Sequence, residues 1–235
     1  MFRFKKFSVD DSDCGMKIGV DGVLLGAWIQ HNFPKTILDV GTGSGLIALM
    51  LAQKFPEAAI HAVEIEAEAA AQAVNNFSAS PFGNNFNVLE DDYLKAELAE
   101  NSFDIIVSNL PYFSDGGIFD SHKRDKARSS KHLPLKHFVK KSANLLNDYG
   151  AMYFIYPSTD VKNIIELADQ ENLHVNTIIN IQGNQNSKVK RCLFKLSKSS
   201  SPNPERRIQH LVIEINRGEY TAAYKELCKD FYLKF

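Results

Sequence analysis

The spacing of apolar residues changes period along this chain, and each change marks an element. Residues 36–40 form a short apolar run that enters a glycine turn, and residues 46–54 repeat apolar positions at helical spacing. A second such pair follows, a strand at 59–65 and an alanine-rich helix at 67–76 that fades toward Pro81 and Gly83. Further strands are expected at 87–90, 103–107 and 151–155, with helices at 135–146 and 159–170. Repeated strand-then-helix order covers a mostly parallel sheet on both faces. Beyond residue 170 the segments 174–181, 189–196 and 209–215 are strand-like with no helix between them, so they are expected to pair antiparallel at one edge. A loop at 197–204 and a closing helix at 220–231 complete the chain. The expected fold is α/β and Rossmann-like: a mostly parallel seven-stranded sheet, an antiparallel C-terminal edge and helices on both faces. One domain spans 1–235, with 1–30 folded over the carboxyl edge, 31–170 as the core and 171–235 as edge strands and last helix.

The run at 103–107 leads into Asn109, Leu110, Pro111 and Tyr112. Proline fixes its own φ and pushes Leu110 into an extended conformation, which aims the Leu110 carbonyl. The Asn109 amide oxygen supplies a second acceptor beside it. Two acceptors match the two hydrogens of an exocyclic NH2, and Tyr112 offers a face on which the ring carrying it can stack. Taken alone, the same four residues also suit an ordinary strand end closed by a turn.

Other strand ends should converge on the same edge. Gly41, Thr42, Gly43, Ser44 and Gly45 join a strand to a helix start, with glycines that permit a tight turn and close backbone approach. Open amides there would welcome an electron-rich group. The turn is neither a P-loop nor G-x-G-x-x-G, which argues against pyrophosphate binding. Glu64 ends the second strand, where an acid can accept from both ribose hydroxyls of an adenosine-containing ligand. Asp91 and Asp92 end the third; Asp92 is favoured as the acceptor for the ligand's adenine amine, although Asp is also a good helix cap. Ligands of open α/β sheets sit beyond the carboxyl ends of the strands, where all these residues would meet.

Composition narrows the class. With 235 residues, 44% hydrophobic and 23% charged, the chain suits a folded domain and not a disordered or fibrous protein. No apolar run approaches the roughly 18 residues of a membrane span, and no apolar leader core follows Met1, so a cytoplasmic protein without membrane contact is expected. Cys14, Cys192 and Cys228 are too few and too scattered for a disulfide framework or a metal knuckle, and no metal is expected. A net charge of -1 conceals two basic segments. Residues 123–141 hold eight Lys or Arg against one acid, and residues 188–207 hold seven against one. Solvated basic faces are common, but the pair favours a polyanionic partner such as nucleic acid.

Together these residues resemble class I S-adenosylmethionine-dependent methyltransferases, in the amino-methylating branch whose fourth strand ends in N-P-P-[YF]. The matching pieces are a block at 17–28 reading Lys-Ile-Gly-Val-Asp-Gly-Val-Leu-Leu-Gly-Ala-Trp, the turn at 39–45, residues 109–113, the basic Ala127-Arg128 region and an ending from Tyr220-Thr221 to Phe231-Tyr232. They are similar to bacterial enzymes that methylate N6 of the adenine beside the anticodon, adenine 37 of tRNA-Val. The resemblance implies a class I methyltransferase fold, S-adenosyl-L-methionine as cofactor and a tRNA anticodon stem-loop as partner of a monomeric enzyme. It implies catalysis by Asn109, Leu110, Pro111 and Tyr112, and cofactor contacts from Asp39, Gly41, Thr42, Gly43, Gly45, Glu64, Asp92 and Asn109. Asp21 either meets the methionine end of the cofactor or caps a helix. Lys123, Arg124, Lys126, Arg128, Lys131, Lys188, Lys190 and Arg191 would grip phosphates. One departure is Leu110, where the branch has proline: the backbone acceptor survives, one ring's rigidity does not, and a free N–H appears. Two alternatives remain: a protein-glutamine N5-methyltransferase acting on a release factor, since a glutamine amide is also a planar NH2, and a non-catalytic RNA-binding protein of the same fold.

Overall fold

A computed structural model describes residues 1–82, 85–111, 133–198 and 205–235. The chain enters as a hairpin, β1 (Phe2–Arg3) and β2 (Ser8–Val9), followed by helix α1 (Val20–Trp28). Alternation then sets in: β3 (Thr36–Val40), α2 (Leu46–Lys54), β4 (Ala59–Glu64), α3 (Ala67–Ser78), β5 (Phe86–Glu90) and β6 (Phe103–Ser108). Helix α4 (Leu135–Leu145), β7 (Leu146–Pro157) and α5 (Val161–Gln170) continue it. The last third holds β8 (Leu173–Asn184), β9 (Arg191–Lys198), β10 (Arg207–Asn216), β11 (Glu219–Tyr220) and α6 (Ala222–Cys228), whose first turn is capped by the Thr221 hydroxyl.

Among the described residues nine strands form one sheet in the order β11-β10-β8-β9-β7-β6-β3-β4-β5. Five neighbouring pairs, β4–β5, β3–β4, β3–β6, β6–β7 and β8–β10, are parallel, whereas β7–β9, β8–β9 and β10–β11 are antiparallel. Two expectations are corrected. Among the described residues the sheet has nine strands and not seven, and the short β11 is the one with no counterpart in the hydrophobic pattern. Residues 209–215 pair parallel with β8, and antiparallel only with the short β11. One edge of β9 is taken by β7 and the other by β8, so β10 cannot pair with β9 and instead lines the outer edge of β8, running in β8's direction.

Side-chain alternation along the strands divides the core into two layers. Ile37, Ile105, Val107 and Tyr153 face the layer covered by α1, α2, α3 and α6, while Leu38, Ile106, Met152 and Phe154 face α4 and α5. Each fully buried large side chain contributes about 1.5–3 kcal/mol. Helix α1 escapes a periodicity reading because Gly22 and Gly26 interrupt it. Contact explains Gly26: a Cβ there would lie 2.7 Å from Met50 Sδ on α2. The chain winds outward from β3 through β4 to β5, then returns to β6 on the other side of β3. That reversal opens a crevice at the carboxyl ends of β3 and β6.

Candidate active site

A cavity of ≈ 360 Å³ occupies this crevice, within the roughly 300–1,000 Å³ of small-molecule sites. Its floor is apolar, from Val40, Ile47, Val63 and Ala69, and its walls carry Glu64, Glu66, Asp91, Asp92 and Asn109. The segment before α1, from Cys14 to Gly19, forms the remaining side.

Gly41, Gly43 and Gly45 all have left-handed backbones, with φ of 67°, 55° and 79°, a region that strains other residues. Gly45 is also excluded sterically, since a Cβ would lie 2.5 Å from Phe77 Cε1 on α3. The expectation of open amides in this turn is corrected for four of them. Gly41 and Thr42 donate to the Val63 carbonyl at 2.8 and 3.2 Å, Gly45 to the Thr42 carbonyl at 2.9 Å, and Gly43 to Glu64 Oε2 at 2.8 Å. The turn satisfies itself across β3 and β4, and serves a ligand by shape and close approach.

Glu64 is engaged by backbone donors on both sides. Besides Gly43, it accepts from the Ile65 and Glu66 N–H groups at 2.9 and 3.0 Å through Oε1, joining the glycine turn to the start of α3. Asp39 lies beneath the turn and not among the cavity lining. Only 1% exposed, its Oδ2 accepts from the Thr42 hydroxyl at 2.7 Å and from the Ala48 N–H at 3.2 Å. Burial pushes its carboxyl up to about 7 against the pull of those two bonds. Asp39 therefore braces the turn from below.

Asp91 and Asp92 both line the cavity. Asp92 Oδ1 caps the following turn through the Leu94 N–H at 2.9 Å, and Asp91 Oδ1 accepts from the Asp92 N–H at 2.7 Å. Asp21 is placed elsewhere: it pairs with Arg191 of β9 and is not part of the cavity lining. That contact ties α1 to the sheet and occupies the Arg191 side chain that was expected to grip phosphate. Lys188 and Lys190 are exposed at the carboxyl edge, where the Lys190 carbonyl accepts from Ser158 beyond the end of β7.

Asn109 and Pro111 stand in the cavity wall beside the turn, whereas Leu110 is 1% exposed and packs with Tyr93, Leu135 and Phe138. The Leu110 side chain is therefore part of the core. Leu110→Pro, which restores the branch residue, is expected to lower stability by about 1–2 kcal/mol through lost packing while turnover persists. Thermal melts alongside initial rates check this; unchanged melting would remove Leu110 from the core. Tyr112, Lys123, Arg124, Lys126, Arg128 and Lys131 lie outside the described residues.

Three residues had no local signal in the sequence. Ser108, also lining the cavity, donates to the Val40 carbonyl at 2.7 Å and locks the end of β6 to that of β3. Asn76 of α3 donates to the carbonyls of Asp10 and Ser44, and accepts from the Asp10 N–H, so it staples the N-terminal segment to the turn. Met16 meets Asn109 at the cavity mouth.

Sheet order, left-handed glycine turn and acidic carboxyl edge define a class I methyltransferase. Residues 7–168 match the methyltransferase small domain model, and the chain belongs to that family. It is 40% identical over 237 residues to the tRNA1(Val) (adenine(37)-N6)-methyltransferase of Christiangramia forsetii, covering 99% of this chain and 98% of that one. The enzyme of the same description from Vibrio vulnificus is 36% identical over 99% of this chain and 95% of its own. Among solved structures, a predicted O-methyltransferase from Agrobacterium tumefaciens superposes with a TM-score of 0.67 at 19% identity, covering 90% and 96% of the two chains, a likeness of fold alone. Among the described residues no helix is long and apolar enough to cross a membrane.

Proposed function

We propose that this protein transfers a methyl group from S-adenosyl-L-methionine to N6 of adenine 37 in tRNA1(Val). The observation that carries the reading is the cavity wall itself, which sets Asn109 and Pro111 beside the glycine turn and Glu64. Relatives aligned over 99% of the chain bear that activity in their names, which supports it. The residues fit the cofactor: Glu64, Asp91 and Asp92 offer acceptors to an adenosine, and an acidic wall suits a cation. When bound, that group supplies an electrophilic methyl on a sulfonium.

An adenine amine is a poor nucleophile because its lone pair is delocalised into the ring. Asn109 Oδ1 and the Leu110 carbonyl accept its two hydrogens, draw the nitrogen toward tetrahedral geometry and aim its lone pair into the cavity. Positioning and local electrostatics carry the acceleration, with no strong base needed. Tyr112 gives the extruded base a face, worth roughly 1–3 kcal/mol. A loop purine is partly unstacked already, which lowers the cost of extrusion.

Tritiated methyl transfer to two synthetic anticodon stem-loops tests the reading. Label should enter the loop with adenine at 37 and not the loop with guanine there; equal labelling would refute the target. Lys188 and Lys190 place positive charge on the same edge as Asn109, two strands away. Reversing both charges is expected to weaken stem-loop binding by about tenfold at moderate salt without changing cofactor affinity. Anisotropy titrations at two salt concentrations read this, and an unchanged salt slope would move the RNA surface elsewhere.

A further inference from the structure

We infer that Met16 is a positioning residue that fixes which way the Asn109 amide points, an inference that rests on the proposed role of Asn109. Met16 is 56% exposed, unusual for a methionine with no core to fill, and it lines the cavity mouth. Its thioether accepts a hydrogen bond from Asn109 Nδ2 at 3.6 Å. Asn109 Oδ1 has no hydrogen-bond partner among the described residues, so it is free to accept from a ligand.

The chemistry of the pair explains why this contact matters. An asparagine amide has nearly the same shape in its two flipped orientations, one presenting an acceptor to the cavity and the other presenting two donors. Only the first can receive an amine hydrogen; the second sets N–H against N–H. A thioether accepts and cannot donate, so it favours Nδ2 on its own side and leaves Oδ1 on the other. Sulfur thus breaks a near-degeneracy that hydrocarbon would leave intact.

Met16 is itself held in place from both sides. Lys17 Nζ donates to the carbonyls of Asp11 and Ser12, at 2.5 and 2.8 Å, and the Ile18 N–H donates to Asp11 Oδ2 at 2.8 Å. Upstream, Asp10 is bonded through both its N–H and its carbonyl to Asn76, which in turn bonds Ser44 of the glycine turn. The segment carrying the thioether is therefore built onto the same turn that shapes the cofactor side of the cavity.

The test compares Met16→Leu, Met16→Gln and Asn109→Ala, singly and as the Met16→Leu/Asn109→Ala double variant. Leucine keeps the apolar bulk and loses the acceptor; glutamine restores an acceptor but adds a donor, so it supports either amide orientation. Met16→Leu should lower kcat by roughly five- to tenfold, the scale of one hydrogen bond, with the KM for stem-loop and the Kd for cofactor within about twofold. Glutamine, which can donate to Oδ1 as readily as accept from Nδ2, should recover only part of that loss. In the Asn109→Ala background, Met16→Leu should add nothing, because no amide remains to orient. An unchanged kcat in Met16→Leu, or the same loss with and without Asn109, would overturn the inference. Full turnover in Asn109→Ala alone would instead sink the role of Asn109, whatever Met16 does.

Discussion

Asn109→Ala is expected to reduce methyl transfer by roughly 10²-fold or more, the usual loss when one preorganised electrostatic group is removed. Cofactor affinity should stay within about twofold, because the glycine turn, Glu64 and Asp92 are untouched by the change. Asn109 follows β6, whose end is locked to β3 through Ser108 and the Val40 carbonyl, so truncating its side chain leaves the wall standing. The pattern to look for is a fall in kcat with little change in either Michaelis constant. Single-turnover rates with isothermal titration of the cofactor separate the two terms. A loss confined to cofactor binding would place Asn109 on the wrong side of the reaction.

Glu64→Ala should act in the opposite sense. Its carboxylate holds the N–H groups of Gly43, Ile65 and Glu66 and is 8% exposed, so removal strands three donors at the junction of β3, β4 and α3. Each buried donor left unpaired costs about 1–3 kcal/mol, with cavity water recovering part of that. We expect cofactor affinity to fall by roughly 10²-fold or more and the melting temperature to drop by several degrees, since 1 kcal/mol corresponds to about 2–4 °C in a domain of this size. Glu64→Gln keeps one acceptor oxygen and should lose less on both counts. Were cofactor affinity to survive Glu64→Ala, the carboxylate would be a brace for the turn and nothing more.

Both residues were legible in the sequence because local order placed them: an apolar run, then an acid or an amide at its carboxyl end. The same logic found β3, β4, β6, α2 and α3, where hydrophobic period and burial coincide. What it missed is non-local. Helix α1 was hidden by Gly22 and Gly26, whose reason is a neighbouring helix 24 positions onward, at Leu46 and Met50 respectively. The parallel joining of β10 to β8 depends on which sheet edges earlier strands had filled. Asp39 and Asp21 are acids in plausible ligand positions, and only tertiary contacts assign one to the underside of the turn and the other to Arg191. Conversely, Leu110 looked like a blemish in the motif, yet its side chain serves the layer packed by Phe138 and Tyr93.

Nucleoside analysis by mass spectrometry tests the central claim most directly. Unmodified tRNA1(Val), incubated with this protein and S-adenosyl-L-methionine, should gain one N6-methyladenosine at position 37, and Asn109→Ala should leave that adenine unmodified. Absence of N6-methyladenosine, with Asn109-dependent label appearing instead on a glutamine-containing release-factor peptide, would contradict the account.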